Sequence, residues 1–189
     1  LDLAKNVFQV HGVNEQGKTV LKKQLKRSQV LPFFANLAPC LIGMEACAAA
    51  HHWARKLVTL GHDAKLMAPQ FVKLYVKSNK NDAADAEAIC EAVGRPSMRF
   101  VPIKSADQQA VLMLHKTREL LVKQRTMAVN ALRGHLAEFG IVAARGIGRV
   151  DELLALAEAD AALPHIARAA VACMAQHLEG LDLSLETME

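Results

Sequence analysis

The sequence predicts an α/β fold in which a mixed sheet is flanked by helices and followed by a long helix and a short α-helical tail. Two observations lead to this prediction. Short β-rich runs alternate with helical segments up to about residue 104, which is the order that builds a sheet covered by helices. Between residues 106 and 139 the only Pro or Gly is Gly134, so one long helix is expected there. The predicted division is therefore 1–104, 105–140 and 141–189.

The first elements are predicted strands followed by a short helix. Residues 7–13 form a β-rich run, residues 14–17 supply turn chemistry, and a second run with interleaved lysines follows. Together they predict a hairpin whose partner strand carries Asp2. Ser28 is then the expected N-cap of a short helix over residues 28–37.

The next segment predicts the most buried strand of the sheet. Residues 40–44 are almost wholly apolar, as is typical of a strand covered on both faces, and the run ends at Glu45. A helix over residues 47–60 follows, with Gly61 as its C-cap, and residues 62–67 form the next predicted strand. Pro69 opens another short helix.

The long helix is predicted to be amphipathic and similar to a coiled coil. Apolar residues recur along it at three- and four-residue steps. Its wet side carries cations, among which Arg118, Arg125 and Arg133 are candidates for nucleic-acid binding, and Gly140 is expected to end the helix. In the tail, Pro164 and Gly180 are expected to separate short Ala-rich helices.

Composition and charge narrow the functional classes. With 52% hydrophobic and 22% charged residues, the chain is not wholly disordered. No run approaches the ~18 apolar residues of a membrane span, so no membrane partner is expected. The net charge of +4 divides into −7 for residues 151–189 and +11 for the remainder. A basic body with an acidic tail favours nucleic-acid binding, although a solvated basic surface explains the charge equally well.

Four acids lie at positions where a carboxylate is energetically unfavourable unless it has a functional role: Asp2, Glu45, Asp82 and Asp85. Glu45 follows the buried strand, at the edge where open α/β sheets collect their ligands. Asp82 and Asp85 are three residues apart and share one helix face. For that pair the simpler interpretation is a helix N-cap and an acid that favours the helix dipole. All four acids together, in a basic body, favour a metal-dependent nuclease-like site.

The expected cofactor follows from the chemistry of these acids. Clustered carboxylates repel one another and raise each other's pKa, so a buried cluster usually needs a cation. Ligands that are all oxygen select hard ions, chiefly Mg²⁺ or Mn²⁺. Two such ions can activate the attacking oxygen and stabilise the leaving oxygen in phosphodiester chemistry.

The acids lie in three sequence motifs that resemble a known family: residues 1–5 (LDLAK), 43–47 (GMEAC) and 80–86 (KNDAADA). They resemble the DEDD motif of the insertion-sequence transposases related to the pilin-gene invertase. The resemblance continues through Gln108 and Gln109 and along the long helix to residues 130–140 (NALRGHLAEFG). It therefore covers most of residues 1–150.

This resemblance implies a RuvC-like, RNase H-type fold in which Asp2, Glu45, Asp82 and Asp85 hold divalent metal as the catalytic residues. It also implies a separate C-terminal domain with a catalytic serine. Members of the family are thought to recombine DNA as homo-oligomers guided by a structured RNA of their own element. A bacterial, cytoplasmic protein associated with the nucleoid is accordingly expected.

The chain starts within the first motif at Leu1 and stops at Glu189, before any region that resembles the serine-bearing domain. The resemblance therefore implies an N-terminal portion that folds and binds but does not recombine DNA alone. The leading functional hypothesis is metal-dependent DNA transposition. Lys5, Lys77 and Lys80 are candidates for phosphate contacts because they lie close in sequence to the acids.

Two alternatives remain open from the sequence. One is a non-catalytic module for nucleic-acid binding and oligomerisation, based on the basic long helix. The other is a stand-alone junction-resolving nuclease on the same fold. The aromatic content of 4% argues against base stacking and favours contacts to the nucleic-acid backbone.

Overall fold

The computed structural model of the chain describes residues 1–76, 82–144 and 146–188. It divides into two compact units, Leu1–Asp107 and Gln108–Glu189. The first unit is α/β and the second contains helices. The mixed sheet, flanking helices and long helix that the sequence predicts are confirmed, and they are consistent with an RNase H-like fold.

The first unit begins with an antiparallel hairpin of strands β1 (Val7–Val13) and β2 (Thr19–Lys26). Its turn forms as the sequence predicts: the Asn14 side-chain oxygen accepts the Gln16 and Lys18 N–H groups, and Gly17 takes a positive φ of 75°. The segment with Asp2 pairs with β1 through a single antiparallel bridge to Gln9. Asp2 therefore lies beside the hairpin as predicted, although a bridge replaces a full strand.

A second sheet contains β3 (Leu41–Glu45), β4 (Asp63–Met67) and β5 (Phe100–Val101) in the order β3-β4-β5. β3 and β4 are parallel, and β5 is antiparallel to β4. Ile42, Gly43 and Met44 are buried, which confirms the prediction of a strand covered on both faces. The Leu1 nitrogen donates to the Gly43 carbonyl at 2.9 Å, so the segment with Asp2 lies between β1 and β3.

The helices of the first unit are α1 (Val30–Ala35), α2 (Ala50–Thr59), α3 (Pro69–Val72) and α4 (Asp82–Val93). The prediction that Ser28 caps α1 was wrong, because Ser28 lies inside a 3-10 turn at Arg27–Gln29. That turn is held by the Lys26 N–H, which donates to the Gln29 side-chain oxygen at 2.9 Å. Gly61, with a φ of 90°, follows α2 as predicted.

The second unit contains most of α5 (Ala106–Ala137), followed by α6 (Val150–Ala159) and α7 (His165–Glu186). The last turns of α5 share a hydrophobic core with α6 and α7, to which Leu132, Leu153 and Leu178 belong. The expectation that Gly180 divides the tail was wrong. Gly180 lies within α7, where burial of the flanking leucines outweighs the cost of roughly 1 kcal/mol for a helical glycine.

The part of α5 that precedes its last turns leaves apolar side chains exposed: Val111, Met113, Leu114, Leu120 and Met127. The separate boundary that the sequence predicts near residue 140 stays a prediction. In the described part of the chain, no helix combines the length and apolar character needed to cross a membrane.

Candidate metal and nucleic-acid site

Glu45 occupies the carboxyl end of β3, as the sequence predicts. The chain turns sharply after it, because the Cys47 N–H donates to the Glu45 carbonyl at 2.8 Å. The adjacent Ala46 N–H donates to the Met67 carbonyl on β4 at 2.7 Å. These two bonds fix the backbone on which the carboxylate of Glu45 stands, and that side chain is partly buried.

Two of the predicted acids, Asp2 and Asp85, act on a third, Glu45. The pKa of Glu45 is raised from its ordinary value, first by partial burial and then by the negative charges of Asp2 and Asp85. Asp2 reaches this position through its bridge to Gln9, and Asp85 reaches it as the fourth residue of α4. Acids 40 or more residues apart in sequence therefore meet at one place, where each favours protonation of Glu45.

Gly43 sets how closely α4 approaches β3. A Cβ at Gly43 would lie 2.7 Å from the Val93 Cβ and 3.1 Å from the Met67 Cε, so a larger residue would push α4 away. The apolar run over residues 40–44 predicted a buried strand but not this role for Gly43. A glycine inside a strand is nevertheless a recognised signal of close approach by another element.

The donor atoms fit a hard divalent cation in their chemistry, because all are carboxylate oxygens that repel one another. Within residues 1–76, 82–144 and 146–188, no group of three or more His, Cys, Asp or Glu is arranged so that it could hold a metal ion. Asp82 begins α4 as predicted, and its side chain lies outside the described part. The described acids therefore supply the right type of ligand without completing a ligand set.

The predicted phosphate contacts near the acids are described only in part. Lys5 is exposed in the turn between Asp2 and β1, and its carbonyl accepts a hydrogen bond from the Arg27 guanidinium at 3.4 Å. Lys77 and Lys80 lie outside the described residues. The role of all three lysines stays a prediction.

The predicted cations on α5 have different surroundings. Arg118 is exposed. Arg125 forms an ion pair with Asp182 on α7 at 2.8 Å. Arg133 donates to the carbonyls of Ala143, Ala144 and Gly146 at 2.8–3.1 Å. Arg125 and Arg133 thus hold the second unit together, and a contact to nucleic acid would be an additional role for them.

Comparison with known proteins identifies the family. Residues 1–141 match the model of the DEDD transposase family named for IS110, which is described as "Transposase". The chain is 50% identical over 189 residues to "Putative transposase y4pF/y4sB" of Sinorhizobium fredii, covering all of this chain and 49% of that protein. It is 61% identical over 145 residues to "Probable family 20 transposase" of Pseudomonas aeruginosa, covering 77% and 43% of the two chains.

A further relative is "Transposase for insertion sequence element IS1328" of Yersinia enterocolitica. It is 46% identical over 168 residues, which cover 89% of this chain and 50% of that protein. The chain thus spans about half the length of the curated relatives it matches. The family match covers well over half of the chain, including all four acids. This protein belongs to the DEDD transposase family of insertion sequences.

Proposed function

We propose that the chain is the nuclease-type part of a DNA transposase, in which Asp2, Glu45, Asp82 and Asp85 bind Mg²⁺ or Mn²⁺ and direct cleavage of the DNA backbone. The observation that carries this proposal is the placement of Glu45 at the end of β3 within reach of the charges of Asp2 and Asp85, which raise its pKa together with partial burial. A partly buried group of like charges is expensive unless a cation binds to it. The family match supports the same role for the four acids.

Each residue has a defined task in this proposal. Glu45 presents a carboxylate from the rigid end of β3, and Asp2 presents one from the segment beside it. Asp82 and Asp85 come from the first turn of α4, where the helix dipole stabilises negative charge. The bound ions would supply Lewis-acid stabilisation of charge on the phosphate oxygens. The acids hold the ions and orient them toward one phosphodiester.

The partners follow from the same proposal. DNA is the substrate, as the names of the relatives suggest. A structured guide RNA and assembly into a homo-oligomer remain predictions from the resemblance, and the exposed apolar residues of α5 support the second. Action on chromosomal DNA would occur at the bacterial nucleoid in the cytoplasm. Complete recombination is proposed only for a protein of the relatives' full length.

A second candidate is a non-catalytic module that binds nucleic acid and self-associates. The apolar side chains that α5 leaves exposed favour it, because an uncovered apolar helix face is available for self-association. This candidate predicts DNA binding that does not depend on the acids.

Calorimetry with Mn²⁺, together with cleavage of a labelled DNA duplex, tests the first proposal against the second. The variants are Asp85→Asn and, as a matched control, Asp107→Asn, which removes an acid from the first turn of α5. We expect Asp85→Asn to lose Mn²⁺ binding and the control to retain it. Equal Mn²⁺ binding by Asp85→Asn and the unmodified chain would overturn the carboxylate site. Metal binding that depends on Asp85 without cleavage by any variant would favour the binding module.

A further inference from the structure

We propose that a cationic groove beside the candidate carboxylate site binds the sugar-phosphate backbone of DNA without reading its sequence. The groove, called here the Arg27 groove, is lined by Asn6, Val7, Lys26, Arg27, Ser28 and Trp53. This inference rests on the proposed function and adds to it the surface along which the DNA strand reaches the acids.

The groove lies on the chain segment that follows Asp2. Asn6 is four residues beyond Asp2, so their Cα atoms are at most about 14 Å apart. The Arg27 N–H donates to the Asn6 carbonyl at 2.9 Å, which fastens the end of β2 to this segment. Because a DNA strand advances about 3.4 Å per nucleotide, a phosphate bound beside Asn6 would be at most about four nucleotides from Asp2.

Positive charge concentrates at the groove. Lys26 and Arg27 line it, and neither forms an ion pair with an acid in the described part of the chain. The pKa of His52 is lowered, first by partial burial and then by the cations Arg55, Lys56 and Arg27. Cations from the 3-10 turn and from α2 thus act on His52, whose ring contacts Trp53, and Lys26 of β2 adds a positive charge to the lining, as expected for a surface that holds phosphates.

Trp53 orients the central cation of the groove. Its ring packs against Phe8 at 5.0 Å between centroids, and the Arg27 guanidinium lies over it at 5.1 Å. This stacking limits the positions open to the guanidinium, so less entropy is lost when it binds a phosphate.

The same tryptophan explains why the groove would bind backbone rather than bases. Trp53 is only 4% exposed, so its ring face is covered and cannot stack on a base. The remaining contacts come from Lys26 and Arg27, whose ammonium and guanidinium groups match phosphate oxygens. Binding should therefore tolerate any sequence and weaken steeply with salt.

The test measures binding of a short fluorescein-labelled DNA duplex by fluorescence anisotropy, in EDTA, across a salt series. Lys26→Ala with Arg27→Ala is compared with the unmodified chain. The matched control is Lys18→Ala with Lys73→Ala, which removes the same charge at the far end of the hairpin and after α3. Thermal unfolding checks that all three fold. Fluorescence of Trp53, the sole tryptophan, gives a second readout within the groove.

We expect the groove variant to bind DNA roughly ten-fold or more weakly, with a salt slope lower by about 2, because two phosphate contacts are lost. The control should change little, and DNA should alter Trp53 fluorescence. Equal loss of affinity in both double variants, or loss for an RNA strand but not for DNA, would overturn the groove. Because EDTA removes metal ions, this binding measurement does not depend on the carboxylate site. A groove variant that binds DNA as tightly as the unmodified chain would overturn the groove and would leave the metal-binding result for Asp85→Asn unaffected.

Discussion

Gly43 on β3 and Val93 on α4 pack so closely that a methyl group at Gly43 would lie 2.7 Å from the Val93 Cβ. This contact determines how near α4 comes to the sheet. Asp85 stands on the same helix and Glu45 stands two residues after Gly43, so the contact also determines the spacing of the acids.

Gly43→Ala should therefore destabilise the chain by about 1–3 kcal/mol, the usual cost of overpacking a core. Urea unfolding measures this loss. Val93→Gly in the same chain removes the Cβ that the new methyl group would meet, so the double variant should be more stable than the two separate losses predict. Strict additivity of the two changes would mean that Gly43 and Val93 do not restrain each other.

Glu45→Gln should stabilise the metal-free protein at neutral pH, because it removes a charge that Asp2 and Asp85 repel. We expect a rise in Tm of about 1–3 °C without metal. The stabilisation that Mn²⁺ gives to the unmodified chain should disappear in this variant. A metal-free Tm below that of the unmodified chain would contradict the repulsion that we describe.

His62→Phe should cost roughly 2–4 kcal/mol in the free energy of unfolding, because two backbone groups lose their partners. The His62 ring is 4% exposed; its Nδ1 accepts the Cys40 N–H at 3.2 Å, and its Nε2 donates to the Phe34 carbonyl at 3.0 Å. One side chain thus connects α1 to the start of β3. His115→Phe on the exposed surface of α5 is the control, and it should change stability little.

Stability should fall as the pH drops below the ordinary histidine pKa of 6.5. The pKa of His51 is lowered by partial burial and by the charges of Lys104 and Arg55. His51 therefore binds a proton more readily in the unfolded chain than in the folded one. Its contribution to the free energy of unfolding is complete above pH 6.5 and is lost as the pH falls through the pKa of the folded state. Since His51 Nδ1 accepts the Lys104 N–H at 3.1 Å, protonation also breaks that bond.

Thermal unfolding between pH 5 and pH 8 measures this effect. His51→Gln keeps a hydrogen-bond acceptor without a titrating group, and it should show a shallower decline. A decline as steep as that of the unmodified chain would assign the acid sensitivity to other groups, of which His52 is the first to examine.

Met113→Glu should weaken self-association of the chain, if the exposed apolar residues of α5 form the predicted oligomer contact. Met113 is 68% exposed, so the substitution should leave the fold intact. Sedimentation velocity at increasing concentration would show a shift toward the monomer. Asn130→Asp, at an exposed position of the same helix, controls for the added negative charge. Identical sedimentation of Met113→Glu and the unmodified chain would remove this face from the oligomer prediction.

Local signals predicted the secondary structure well where burial and turn chemistry agree. The apolar run before Glu45 and the turn at Asn14 and Gly17 are examples. Local signals failed where long-range packing decides, as at Gly180 within α7. The ion pair of Arg125 with Asp182 joins residues 57 apart, and no sequence pattern on α5 indicates it. The meeting of Asp2, Glu45 and Asp85 was predictable only as a hypothesis about sheet edges.

The segment of Leu1 and Asp2 is bonded on both sides, to Gly43 on β3 and to Gln9 on β1. It is therefore a seam that joins the hairpin to the three-stranded sheet, and it carries the first acid of the candidate site. If the seam opens, the sheet loses its continuity and Asp2 leaves Glu45 in the same event. Local openings that separate the acids should therefore be as rare as openings of the core. The amide hydrogen of Gln9 should then exchange with solvent as slowly as the amide hydrogens of the core.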